Sequence, residues 1–108
     1  MYLVLRTWTS PNKALEMGQF FNKVAKEFNW DKYGKLGEQV LPTILIPTKD
    51  GINSIEVLKI DKGKLEDAIK LRTENLVKGM AIETYRWQID VAYDGDDVAS
   101  ILGSNLPF

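Results

Sequence analysis

Two β-rich runs separated by an Asp-Gly turn constrain the fold of this chain more than any other feature. The runs are LPTILIP at 41–47 and NSIEVLKI at 53–60, and the connection between them contains TKDG at 48–51. Asp-Gly in such a position favours a β-hairpin, so the two runs are predicted to pair as antiparallel strands. Pro42 and Pro47 cannot donate ladder hydrogen bonds, which places the first run at an edge of the sheet.

A strand and a helix are predicted before this hairpin. Residues 2–9, YLVLRTWT, are rich in β-branched and aromatic types and predict a strand. Ser10-Pro11 then marks the start of a helix through Phe28, because serine is a good N-cap and proline fits the first turn. Residues 29–37 hold two glycines without a clean period and are predicted to form a loop. Trp30 and Tyr33 are expected to anchor this connection against the core, and a lid over a pocket is the alternative role for such an aromatic-bearing loop. The apolar stripe of the helix comprises Ala14, Met17, Phe21, Val24, Ala25 and Phe28.

A helix, a strand and a short helix are predicted after the hairpin. Asp61 is the expected cap of a helix that runs to Lys78 and stops at Gly79. Residues 82–93 are predicted to form the longest strand. A final helix over 97–102 is expected to be capped by Asp96 and ended by Gly103. The predicted buried side of the second helix comprises Leu65, Ile69, Leu76 and Val77.

The order of these elements is β-α-β-β-α-β with a short C-terminal helix, in a single α+β domain over residues 1–108. This order is that of the ferredoxin-like split βαβ arrangement, a four-stranded antiparallel sheet with both helices on one face. The other face of such a sheet is left bare, so the residues on it become the candidates for function.

Composition excludes several classes of chemistry. The chain has 108 residues, a formal net charge of -1, no cysteine and no histidine. Disulfides, thiolate metal sites, thiol nucleophiles and histidine-based catalysis are therefore excluded, and no cofactor is expected. The balanced charge argues against nucleic acid, and the short apolar runs argue against a membrane span, so a cytoplasmic location is expected. The acidic turn at 94–97 lacks the spacing of a calcium loop and is interpreted as a turn and helix cap, with no metal.

Side-chain alternation defines the candidate residues on the bare face. In the last strand Tyr85, Trp87, Ile89, Val91 and Tyr93 form the predicted core side. The opposite side of that strand carries polar residues, and in the first strand Tyr2, Val4, Arg6 and Trp8 are assigned to the same face. Ile55 and Val57 are assigned to one side of the hairpin strand, which leaves Glu56 on the bare face. The candidate ligand-binding or dimer residues are Arg6, Trp8, Glu56, Arg86, Gln88 and Asp90.

Two roles for this set remain open. In one, it lines a pocket in which an arginine binds an anionic or carbonyl oxygen, Trp8 supplies an apolar wall, and a carboxylate orients the ligand or accepts a proton. In the other, Arg6–Asp90 and Arg86–Glu56 are cross-strand or intersubunit ion pairs that fix the register of a dimer.

Three segments together resemble those of a known superfamily: the opening strand YLVLRTWT, the central Asp-Gly hairpin, and the closing segment WQIDVAYDGDDVASIL. On these segments the chain resembles the dimeric α+β-barrel superfamily, and within it an uncharacterised branch of unknown function. The resemblance implies a homodimer in which two ferredoxin-like sheets pack face to face. Its motifs are packing motifs, so no catalytic residue is carried over from the family.

Three functional hypotheses follow. The first is a homodimer that binds a small, partly apolar metabolite between the sheets. The second is a cofactor-independent enzyme of the monooxygenase or isomerase type, which would use the same pocket. The third is a structural or regulatory dimer without a pocket.

Overall fold

A computed structural model describes residues 1–103 of the chain, and it contains one four-stranded antiparallel sheet. The strands are β1 at Tyr2–Thr9, β2 at Gly37–Thr48, β3 at Gly51–Ile60 and β4 at Arg86–Ala92. They lie in the order β2-β3-β1-β4, so β2 and β4 are the edges of the sheet. The α+β class and the antiparallel sheet predicted from the sequence are confirmed, and so is the edge position of the proline-containing strand.

The helices fill the connections on either side of the β2–β3 hairpin. Between β1 and β2 the chain forms a short 3-10 turn at Pro11–Lys13 and then two helices; between β3 and β4 it forms one helix and a second 3-10 turn at Val77–Ala81. The α-helices are α1 at Ala14–Glu27, α2 at Trp30–Gly34, α3 at Leu65–Leu76 and α4 at Gly95–Leu102.

The hydrophobic core lies between the sheet and the helices. Leu3 and Leu5 of β1 are buried, as are Leu58 and Ile60 of β3, and these four side chains pack against buried residues of α2 and α3. A second, smaller cluster joins Met17 of α1 to residues just before β4. We call this side of the sheet the helix face and the opposite side the open face.

The Asp-Gly hairpin forms as predicted, but its two strands are longer than the predicted runs at 41–47 and 53–60. Gly51 has a φ of +136°, and a Cβ there would fall 1.8 Å from the carbonyl oxygen of Thr9, so this position requires glycine. Irregular register between Gln39 and Ile44 interrupts the β2–β3 ladder, and Pro42 lies within that irregularity. The longest strand is β2, with 12 residues, and not the last strand, which begins only at Arg86.

Several local predictions were wrong. The region 29–37 is not all loop, because Asn29 accepts a hydrogen bond from the Lys32 amide and starts α2. Asp61 does not cap α3, which begins at Leu65 with no side-chain cap. The predicted buried residues Val77 and Tyr93 are exposed, since each lies beyond the end of its regular element.

The terminal helix begins two residues earlier than predicted, with Asp94 as its cap. The Asp94 side chain accepts from the Asp97 amide at 2.8 Å, and the Asp97 side chain accepts from the Asp94 amide at 3.1 Å. This reciprocal capping box satisfies two amides at the helix start. Gly103 ends the helix with a φ of 69°, as predicted.

Candidate functional site

Five of the six candidate residues lie on the open face. Arg6 and Trp8 project from β1 on the side opposite buried Leu5, and the β1–β4 register places Arg6 opposite Gln88 and Trp8 opposite Arg86. Asp90 is two residues further along β4 and lies opposite Val4 on the same side of the sheet.

An apolar surface accompanies these polar residues on the open face. In the β1–β3 and β2–β3 registers, Val4, Val57 and Leu41 form one row across three strands, and Arg6, Ile55 and Ile44 form the next. None of the apolar members is buried, and neither core cluster includes a side chain from this face. Ordinary antiparallel sheets alternate apolar residues inward with polar residues outward, so this face is more apolar than solvent exposure favours. Its apolar residues are Val4, Trp8, Leu41, Ile44, Ile46, Ile55 and Val57.

The assignment of Glu56 to the open face was wrong. Glu56 lies opposite Leu5 in the β1–β3 register, and directly paired residues share a face of the sheet, so its side chain points into the core with 3% exposure. The sequence was ambiguous here because apolar residues occur at both parities of this strand: Ile55 and Val57 on one, Leu58 and Ile60 on the other.

Glu56 instead forms a buried polar cluster with two residues from different helices. The Tyr33 hydroxyl of α2 donates to Glu56 Oε2 at 2.9 Å, and Arg72 Nη2 of α3 lies 3.5 Å from Glu56 Oε1. The Arg72 guanidinium also lies 5.3 Å from the ring centroids of both Phe28 and Tyr33. We refer to Tyr33, Glu56 and Arg72 as the Glu56 cluster.

One hydrogen-bond donor of the Glu56 cluster has no acceptor among the described residues. Arg72 is only 14% exposed, yet among the described residues its Nε has no hydrogen-bond partner. An arginine has five N–H donors, and an unused donor in a low-dielectric interior is costly. Arg72 was not among the predicted site residues, although its position three residues after Ile69 and four before Leu76 lies on the predicted buried stripe of α3.

The cross-strand form of the predicted ion pairs does not occur within one copy of the chain, and the intersubunit form stays a prediction. Among residues 1–103, neither Arg6 nor Arg86 has an ion-pair partner, and the Arg86 guanidinium donates to the carbonyl of Tyr85 at 2.8 Å. Both Asp90 oxygens accept from Gln88 Nε2, at 2.9 and 2.8 Å. Three of the predicted residues, Arg86, Gln88 and Asp90, thus lie close together on β4, and Arg6 has no ion-pair partner among residues 1–103.

A depression of about 490 Å³ opens at the Trp8 end of the sheet. Thr84, just before β4, has a φ of 71°, a rare conformation for a β-branched residue. The Ser10 hydroxyl lies 2.7 Å from the Thr84 hydroxyl and holds this segment in place. The residues that line this Trp8 depression are Trp8, Thr9, Ser10, Thr48, Asp50, Asn53 and Thr84.

A second cavity, of about 300 Å³, lies on the other side of the sheet between α1 and the edge strand β2. We call it the α1–β2 groove. Leu45 at its rim is 57% exposed, and Arg72 is the only charged residue that lines it. The lining residues are Phe21, Val24, Ala25, Phe28, Trp30, Thr43, Leu45 and Arg72.

The resolved pKa shifts move groups away from neutrality. Burial, together with the adjacent Glu56 carboxylate, raises the pKa of Tyr33 well above its ordinary range, and burial raises the pKa of Tyr85 to about 12. The hydrogen bond that Tyr2 donates to Asp94 raises the pKa of Tyr2, while the Asp97 amide lowers the pKa of Asp94. None of these four groups is therefore tuned to exchange protons near pH 7.

The acidic turn acts as a helix cap, as interpreted from the sequence, because Asp94 and Asp97 are both engaged in the capping box. Within the described part of the chain, no group of three or more acidic side chains is arranged to hold a metal ion. Likewise, no helix within residues 1–103 is long and apolar enough to cross a membrane.

No family model matches the chain, and no curated protein or solved structure matches it either. Membership of the dimeric α+β-barrel superfamily therefore stays a prediction that rests on the residues alone. The fold and the site define a small α+β domain with an apolar open face and a buried, unsatisfied arginine cluster.

Proposed function

We propose that this protein is a homodimer that associates through the open face of its sheet. The proposal rests on one observation: the rows built on Val4–Val57 and Ile55–Ile44 leave an apolar surface uncovered, while α1, α2 and α3 pack on the opposite face. Ile44 and Ile46 are 42% and 44% exposed, which is unfavourable for a sheet facing water.

A second copy of the chain is the occupant that the charges on this face favour. Arg6, Arg86 and Lys59 contribute positive charge, and Asp90 and Glu38 contribute negative charge, so the face carries both signs. A two-fold contact brings the same surface of both copies together and is satisfied when that surface is complementary to itself. Arg6 has no ion-pair partner within residues 1–103, and Asp90 of a second copy would supply one.

The area available meets the minimum for a biological contact between two copies and is typical of a weak dimer. Four strands about 4.8 Å apart and about eight residues long, at roughly 3.3 Å per residue, give a face on the order of 500 Å². Two copies would then bury about 1,000 Å², which reaches the lower limit of specific protein interfaces.

Sedimentation velocity over a concentration series tests the dimer. Val57→Lys places a charge at the centre of the open face and is expected to raise the dimer dissociation constant roughly 30-fold or more, or about 2 kcal/mol. Leu15→Lys is the matched control, because Leu15 is 78% exposed on α1 and lies away from the sheet. A wild-type chain that stays monomeric at the highest concentration, or equal weakening by both variants, would refute the proposal.

Binding of a small molecule on the open face is the second candidate function, and the Trp8 depression favours it. An indole wall beside hydroxyl, amide and carboxylate groups suits a small molecule with one apolar and one polar side, such as a hexose. The strained Thr84 forms part of this wall, and such conformations concentrate at binding sites.

The enzymatic alternative has no comparable support, since no resolved pKa shift moves toward neutrality. We also propose a cytoplasmic location for the protein, as expected from its composition.

Titration with glucose, followed through the indole N–H resonance of Trp8, tests this second function. A saturable shift that is absent in Asn53→Ala would support the site. An unchanged Trp8 resonance at high millimolar glucose would remove hexoses as the ligand class.

A further inference from the structure

We infer that the α1–β2 groove is a binding site for a small apolar molecule that carries one neutral hydrogen-bond-accepting oxygen, and that the Arg72 guanidinium is the donor to that oxygen. This site lies on the helix face and does not depend on the open-face dimer. Its volume of about 300 Å³ is at the lower end of the roughly 300–1,000 Å³ range of small-molecule pockets.

The walls of the groove determine the apolar part of the ligand. Phe21, Val24 and Ala25 of α1 form one side, and Leu45 of β2 forms the other. Leu45 is 57% exposed although it lies opposite buried Ser54 and so points to the helix face. An apolar side chain that faces the core side and still meets water gains by contact with an apolar ligand.

An aromatic corner closes one end of the groove. The Phe28 and Trp30 rings meet edge to face with centroids 4.7 Å apart, and Phe28 and Tyr33 do so at 5.2 Å. The Trp30 indole N–H donates to the Ala25 carbonyl at 2.9 Å, which fixes the ring at the rim. A rigid aromatic end of this kind suits a flat ring or a branched alkyl group.

The Glu56 cluster determines the polar part of the ligand. Arg72 is the only charged residue lining the groove, and its side chain is 14% exposed. Its Nε is buried, so the donor to a ligand is a terminal nitrogen of the guanidinium, which carries more N–H groups than the contact with Glu56 uses. Glu56 already provides a negative charge 3.5 Å from Arg72 and is itself 3% exposed. A ligand carboxylate would bring a second anion close to Glu56, whereas a neutral carbonyl or ether oxygen adds an acceptor without a like-charge contact.

The test uses three probes of similar size: acetophenone, which has a ketone oxygen; ethylbenzene, which has none; and benzoate, which is anionic. Binding is followed through the indole N–H resonances, because Trp30 reports on the groove, Trp8 on the open face and Trp87 on the core. Acetophenone is expected to shift Trp30 saturably and to bind roughly tenfold or more tightly than ethylbenzene, the contribution of one hydrogen bond to a charged donor.

Two variants locate the site and the donor. Leu45→Lys places a charge at the rim and is expected to abolish the Trp30 shift, while Val40→Lys, an exposed position on the same strand outside the groove, is expected to retain it. The triple variant Tyr33→Phe/Glu56→Leu/Arg72→Met removes the cluster without leaving a buried charge unpaired, and it should bind acetophenone and ethylbenzene equally.

Each alternative result decides against part of the inference. The absence of a saturable Trp30 shift with all three probes overturns the site. Equal binding of ethylbenzene and acetophenone to the wild-type chain overturns the role of Arg72, and tighter binding of benzoate overturns the neutral acceptor. The deciding readout is Trp30, which lies at the groove on the helix face and not on the open face, so the two proposals fail independently.

Discussion

Replacing Glu56 by glutamine is expected to lower the free energy of unfolding by about 3 kcal/mol, the lower end of the cost of breaking a buried ion pair. Glutamine keeps an oxygen that can accept from the Tyr33 hydroxyl, now 2.9 Å from Glu56. What is lost is the negative charge 3.5 Å from the Arg72 guanidinium, which is only 14% exposed. The low end applies because the remaining exposure of Arg72 lets water reach part of the guanidinium.

Urea unfolding followed by circular dichroism measures this change. The chain provides a matched control in Glu16→Gln, because Glu16 also lies 3.5 Å from its partner, Lys13, but is 52% exposed. That surface pair is expected to contribute less than about 1 kcal/mol. A loss below about 1 kcal/mol in Glu56→Gln, equal to the control, would refute the view that burial makes the Glu56 cluster energetically demanding.

A third variant separates the cost of breaking the cluster from its net contribution. Tyr33→Phe/Glu56→Leu/Arg72→Met replaces all three polar partners by apolar ones and is expected to be as stable as the wild-type chain or more so. This outcome would show that the intact cluster contributes no net stability. A triple variant as unstable as Glu56→Gln would contradict that expectation.

Two further predictions concern packing and pH. Gly79→Ala would place a Cβ 2.7 Å from Tyr85 Cε1 and 2.9 Å from Phe20 Cε1, so it is expected to lower the free energy of unfolding by about 1–3 kcal/mol. Gly18→Ala has nothing within 4 Å of the added Cβ and should raise the free energy of unfolding by about 0.5–1 kcal/mol in the same urea experiment. A Gly79→Ala variant that is more stable than Gly18→Ala would contradict this packing. The Asp97 amide donates to Asp94 and lowers the pKa of Asp94 below its ordinary value of 3.8. The stabilisation that this cap adds to the free energy of unfolding is therefore complete above pH 3.8, and it is lost as the pH falls through the lower folded-state pKa. The Asp97 amide resonance should follow this transition in the wild-type chain. The transition should be absent from Asp94→Asn, which keeps a capping oxygen without a titrating carboxyl at position 94. A transition above pH 3.8 in the wild-type chain would contradict the lowered pKa of Asp94.

The sequence predicted the sheet well where period and turn chemistry agreed. Asp50-Gly51 closes the central hairpin, and the proline-containing strand lies at the edge, because missing amide donors cannot be tolerated between two partners. The first strand also divides as predicted, with Leu3 and Leu5 in the core and Arg6 on the open face. In each case one local rule sufficed.

Element ends were less predictable because alternative caps lay close together. Asp94 and Asp96 are both good N-caps near the last helix, and only the capping box with Asp97 selected the first. Similarly, Asp61 is a good cap by residue type, yet α3 starts at Leu65, where packing against the sheet begins. A local capping box thus selects the start of the last helix, whereas packing against the sheet selects the start of α3.

The sequence by itself determined the α+β class, the antiparallel hairpin and the placement of Arg6, Trp8, Gln88 and Asp90 on one side of the sheet, because alternation along a strand is a local property. Only the tertiary structure decided the position of Glu56. Its strand is apolar at both parities, so alternation alone cannot orient it, and pairing with Leu5 turns the carboxylate into the core. The α1–β2 groove likewise depends on α1, α3 and β2 lying next to one another in the folded chain. The spacing of residues along the sequence does not predict that contact.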